Sequence, residues 1–143
     1  MIEENKNIPE LQSPFEQLRE VDAGGKEWWN SRKLARVMGY GKYWNFERVM
    51  AKAQAWVTQK GYHLEEHFVE FIEMAELGSG AVREVTSIKL SRAACMAIAM
   101  NADQKKEMVK VAQEYFSATM TSDVAVRSME STILLYKGAR GKA

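Results

Sequence analysis

The sequence predicts an α+β fold, with small β-hairpins packed on a helix-rich core and two consecutive helices arranged like a helix-turn-helix. Three observations predict it. Glycine-bearing turns at 22–27 and 78–80 sit beside β-rich runs, and apolar residues recur at three- and four-residue spacing in several separate segments. A chain of 143 residues with 46% hydrophobic content is also long enough to bury one core without disulfides or metals.

The elements follow in order. Residues 1–14 carry two prolines, several charges and no period, and read as a flexible arm before a domain over 15–121. "FEQLREV" (15–21) offers Phe15, Leu18 and Val21 to one side, and "DAGGKE" supplies a tight turn before "EWWNS", so a β-hairpin is expected. Ser31 or Asn30 then offers a capping oxygen to "RKLARVM", where Leu34, Val37 and Met38 form one stripe and Gly39 the stop. A second helix puts Phe46, Met50, Ala53 and Val57 inward, with Asn45, Arg48 and Lys52 on its other face and Gly61 at its end. Ala35 and Gly39 are small enough for these two helices to approach closely.

Residues 63–90 carry two patterns. Phe68, Phe71, Ile72 and Ala75 fit a helix opposed by Glu66, Glu70 and Glu73, yet Val82, Val85, Thr86 and Ile88 fit a strand after the glycines. A hairpin with its tip at Gly78–Gly80 is the preferred reading. Ser91 then caps "RAACMAIAM", "NAD" interrupts, and the next helix offers Met108, Val111, Ala112 and Tyr115 as an inner stripe. A last helix over 122–137 ends in the basic tail "KGARGKA". With Val124, Val126, Met129, Ile133 and Leu134 it has apolar surface enough either to close the core or to pair two chains as a homodimer.

Composition excludes several classes. The single cysteine, Cys95, has no partner for an internal disulfide and lies among small apolar residues, as a core thiol in a reduced compartment does. No apolar run reaches a membrane span, and the acidic N-terminus is unlike a signal peptide, so a cytoplasmic protein with no membrane partner is expected. "HLEEH" (63–67) matches the H-x-x-E-H spacing of a zinc peptidase, with Glu66 as base, but no third ligand or cleft is evident. With no phosphate loop, nucleophile elbow or cysteine cluster, no enzymatic activity, cofactor or metal is expected.

Charge is informative once it is divided. Net charge is +1 overall, but residues 1–27 sum to -4, 28–62 to +6, 63–76 to -5 and 77–143 to +4. A basic block between acidic ones points to a polyanionic partner for one surface. Arg32, Lys33, Lys42, Arg48 and Lys52 are the candidate phosphate grip, with Tyr43 and Asn45 adding contacts, Asn and Arg being able to read base edges. Arg83, near the hairpin tip with Ser79 and Lys89, is a candidate wing contact. Trp28 and Trp29 alternate, so one is expected in the core, whereas Trp44 and Trp56 are both expected to pack.

Taken together, "WWNSRKLARVMGYGKYWNFERVMAKA", "HLEEHF", "GSGAVREV", "LSRAACMAIAMNAD" and "VAQEYFSATM" resemble, in order and spacing, the N-terminal region of the DNA-damage-inducible protein D family. That family is a relative of the BRO N-terminal domain of phage and viral proteins. The resemblance spans roughly residues 14–120 and implies a small α+β DNA-binding domain in a bacterial or mobile-element protein linked to DNA damage. It implies DNA as partner, and a recombinase or repressor as a second. It favours the hairpin at 68–90 and makes His67, the "LSR" of 90–92 and the "QEYF" of 113–116 scaffold. The chain departs from the family at Thr86–Ser87, where an acidic residue is expected, and at Asn101–Gln104, where an Asn-Gly-Asp-Pro turn is common. Longer members carry a further C-terminal half. A protein-interaction module acting through Glu66, Glu70 and Glu73 is the alternative reading.

Overall fold

Ser13 starts the first element. Its hydroxyl accepts the Phe15 amide at 3.0 Å, and Pro14, at the first helical position, has no N–H left to satisfy, so Pro14–Leu18 forms a short helix, α1. The strand expected over 15–21 is thereby reduced to β1, Glu20–Val21, because Phe15 and Leu18 lie at a three-residue spacing that a capped helical turn also satisfies. β1 pairs antiparallel with β2, Glu27–Asn30. The Asp22 carboxylate ties the turn by accepting the amides of Gly24 and Lys26, each at 2.9 Å.

The computed structural model describes residues 13–118 except residue 77. The expected helix over 122–137 and most of the N-terminal arm lie outside the described residues.

β2 runs directly into α2, Ser31–Val37. Asn30 is the cap, its side-chain oxygen accepting the amides of Arg32 (2.8 Å) and Lys33 (3.2 Å). Ser31 is thus released to accept the Ile88 amide at 3.0 Å and to pair with the Tyr43 hydroxyl at 2.7 Å. The chain leaves α2 through Gly39 at φ +92, a conformation that side chains resist. α3, Tyr43–Gln59, buries Phe46, Met50, Ala53 and Val57 as their spacing predicts.

The middle segment is a hairpin. A single 3-10 turn, Leu64–Glu66, leads into β3, Phe68–Glu76, which pairs with β4, Val82–Leu90, from Phe68 opposite Leu90 to Glu76 opposite Val82. The sheet order β1-β2-β4-β3 leaves β3 at an edge among the described residues. The base of this hairpin enters the core through Phe68 and Leu90, with Ile88 packed against it and Ser87 buried, and its far part stands out as an arm with Ile72, Met74 and Val82 exposed.

α4, Arg92–Asn101, is capped by Ser91, whose hydroxyl accepts the Ala94 amide at 3.0 Å. Residues 92–100 of α4 are all buried, the pattern of a helix surrounded by protein. α5, Glu107–Ala118, buries Val109, Ala112, Tyr115 and Phe116, whereas Met108 and Val111 are only partly covered. Its inner stripe is therefore rotated from the expected one, because Phe116 joins Phe15 and Trp29 in one aromatic cluster. Trp29 is the core member of the tryptophan pair, its indole N–H donating to the Phe15 carbonyl at 2.8 Å.

One ion pair is built into this core. Arg92 donates to both oxygens of Glu27, at 2.7 and 2.8 Å, and Arg19 adds a third bond at 2.7 Å. Burial by itself pushes the Glu27 carboxyl up, but the bonds and charges of Arg92 and Arg19 outweigh it and hold it below its usual value. Cys95 is fully buried, which pushes its thiol well up and leaves it un-ionised in the core. Among the described residues no helix is long and apolar enough to cross a membrane.

Candidate functional site

The basic side chains of α2 and α3 line two grooves that meet at Gly41. The first, about 490 Å³, is lined on the α3 side by Asn45, Arg48, Val49 and Lys52, and opposite by Asn101, Ala102, Asp103 and Lys106. Three cations face one carboxylate there. The second, about 530 Å³, runs between α2 and the hairpin arm, and sets Arg32, Lys33 and Arg36 against Glu73 and Glu76. Its charges largely cancel, so the α3 groove carries the greater excess of positive charge.

The structure separates the predicted site residues by the work they already do. Arg48 and Lys52 are exposed on the outer face of α3, with Asn45 half-buried beside them. Lys42 caps α3 with no side-chain bond of its own. Arg32 is engaged internally: its guanidinium donates to Ser87 Oγ at 3.0 Å and the Thr86 carbonyl at 2.9 Å, and lies 4.1 Å from the Tyr43 ring centre. Tyr43 is half-buried under it, and burial raises its hydroxyl above the usual value. These two residues brace α2, α3 and β4 together. Lys33 reaches Glu20 at 4.0 Å, a weak contact for two exposed side chains.

Arg83 is exposed just beyond the hairpin tip and lines neither groove, although it sits opposite Ala75, which lines the second. Lys89 lies at the opposite, inner end of the hairpin, 4.8 Å from the Trp28 ring centre and 5.5 Å from that of Phe71. Ser79 accepts the Ala81 amide within the tip.

Two residues, Lys106 in the α3 groove and Trp44 beside it, were not among those expected. Trp44, expected to pack, is 54% exposed, because it falls on the same four-residue stripe as Arg48 and Lys52 and opposite Phe46. That spacing was available to find it. Lys106 comes from the turn before α5: its ammonium donates to the Gly39 carbonyl at 3.0 Å and lies 5.0 Å from the Tyr40 ring centre. No local pattern in the sequence announces a contact between residues so far apart.

The "HLEEH" segment is not a helix carrying two histidines on one face. The 3-10 turn splits it: His63 is exposed, 3.7 Å from Glu65, whereas His67 is buried with Nδ1 2.7 Å from Ser91 Oγ. Among the described residues no three His, Cys, Asp or Glu side chains gather as a metal site. The acidic residues differ as well. Glu73 accepts from Asn30 (2.8 Å) and from Ser87; burial raises its carboxyl, but those two bonds prevail and lower it. Glu66 and Glu70 remain exposed.

The chain is 34% identical over 108 residues, 76% of its length, to DNA damage-inducible protein D of Escherichia coli strain K12. It spans 39% of that relative. No protein-family model matches the chain, and no solved structure matches it. The similarity supports a place in the DNA damage-inducible protein D family.

Proposed function

We propose, on the strength of that similarity, that this chain is a non-enzymatic DNA-binding regulator of the DNA damage response or of a mobile element, built on a BRO N-terminal-type domain. The observation that carries the DNA reading is the α3 groove, where Arg48, Lys52 and Lys106 face a single carboxylate. A polyanion neutralised there releases its counterions, which drives binding without any requirement for sequence. Arg48 and Lys52 hold phosphates, Asn45 lies within reach of a base edge, and Lys42 adds charge where α3 begins. α2 is the first member of a helix-turn-helix-like pair, with Arg32 and Tyr43 fixing its angle to α3. Arg83 on the arm is an outlying contact.

Anisotropy of labelled DNA at two salt concentrations tests this reading. Affinity that falls steeply with salt is expected; no binding at low salt would refute it.

A second reading is favoured by the arm. β3 is a nine-residue edge strand bearing Glu70, Glu73 and Glu76 and no cation. Such an edge suits an extended, basic segment of a partner protein, added as a further strand. Capture of a recombinase or repressor with DNA absent, lost on Ile72→Pro, would put this reading first.

A further inference from the structure

We propose that Trp44 is a stacking platform for an unpaired nucleobase, so that the α3 groove takes single-stranded DNA in preference to duplex. This rests on the DNA-binding reading and names the form of DNA that the site selects.

The four tryptophans have different surroundings. Trp29 is wholly buried, Trp28 meets Phe71 edge-on at 5.7 Å with Lys89 over it, and Trp56 is partly buried beside Lys60. Trp44 is the one aromatic among the large exposed hydrophobic side chains of the described residues. It stands in the first turn of α3, next to Asn45 and one turn before Arg48, whose guanidinium carbon is 5.7 Å from the indole centre. With 54% of its surface exposed, the indole keeps room for a second flat partner beside that cation.

This order of groups matches one chemistry. A flat ring, an amide and two cations follow one another along a single helix face, as a base, its polar edge and its phosphates do along a strand. In a duplex both faces of a base are covered by its neighbours, so an indole projecting from a helix can stack only where a base is unpaired. Stacking also tolerates any base, which suits a groove whose other contacts are to phosphate. Trp44 thereby adds selection for strand state to a grip that charge alone leaves indifferent.

The test uses the full chain and its Trp44→Ala variant with three labelled oligonucleotides: a single strand, the duplex of the same sequence, and a single strand of equal length with abasic sites. The wild type is expected to bind the single strand best and the abasic strand less well. Trp44→Ala is expected to weaken single-strand binding by about five- to a hundredfold while leaving duplex and abasic affinities, and the melting temperature, unchanged. Trp44→Phe should restore part of the loss. Equal wild-type affinity for the abasic and ordinary strands, or a loss shared by all three ligands, would overturn the stacking role and leave the phosphate grip standing. Binding to none of the three would overturn the DNA-binding reading itself.

Discussion

Helices α3 and α4 pack against each other, yet they are put to opposite uses. α4 is buried through residues 92–100 and carries small and sulfur-containing side chains with one internal ion pair. α3 is divided lengthwise, with Phe46, Met50, Ala53 and Val57 buried in the core and Trp44, Arg48 and Lys52 turned to water. The difference separates two kinds of sensitivity. A change in α4 is felt as stability, because nothing can relax around it. A change on the outer stripe of α3 costs little in folding and is felt, on the reading proposed here, in binding.

The largest expected effect is at the ion pair. Arg92→Ala leaves Glu27 largely buried without its main partner, and should lower unfolding free energy by about 3–5 kcal/mol, read from urea denaturation. A loss as small as that of a surface substitution would break the contrast. Ser91→Ala comes next: it removes both the cap of α4 and a hydrogen-bond partner of His67, and should cost about 1–2 kcal/mol.

Acid sharpens the same contrast. Glu27 titrates below its ordinary 4.5 in the folded protein, so its contribution is full above that value and lost as pH falls through the lowered folded value. The urea midpoint should therefore drop on acidification below 4.5, and Glu27→Gln, less stable at neutral pH, should show a shallower drop. The smallest effect on stability belongs to Arg48→Ala with Lys52→Ala, expected within about 0.5 kcal/mol of the wild type by thermal melting.

Much of the division was legible beforehand. The inner stripe of α3, the Ser91 cap and the hairpin tip at Gly78–Gly80 all rest on spacing or on a capping oxygen, signals confined to a few neighbouring residues. The α1 turn departs from the expected strand because three-residue spacing over so short a run suits either, and the cap Ser13–Pro14 decides it. Residue type alone favours packing for Trp44, but its position one turn before Arg48 places it on the surface. The engagement of Arg32 with Ser87 and the arrival of Lys106 beside Gly39 depend on chain segments meeting across the fold. No local pattern encodes such meetings.

The central claim is that the outer stripe of α3 grips phosphate while its inner stripe holds the fold. The most direct test is the salt dependence of duplex DNA affinity for Arg48→Ala with Lys52→Ala, taken beside the wild type on protein of matched melting temperature. Loss of two phosphate contacts should weaken binding and reduce the slope of log affinity against log salt by about 1.8. An unchanged slope with unchanged affinity would remove these residues from the site and contradict the account.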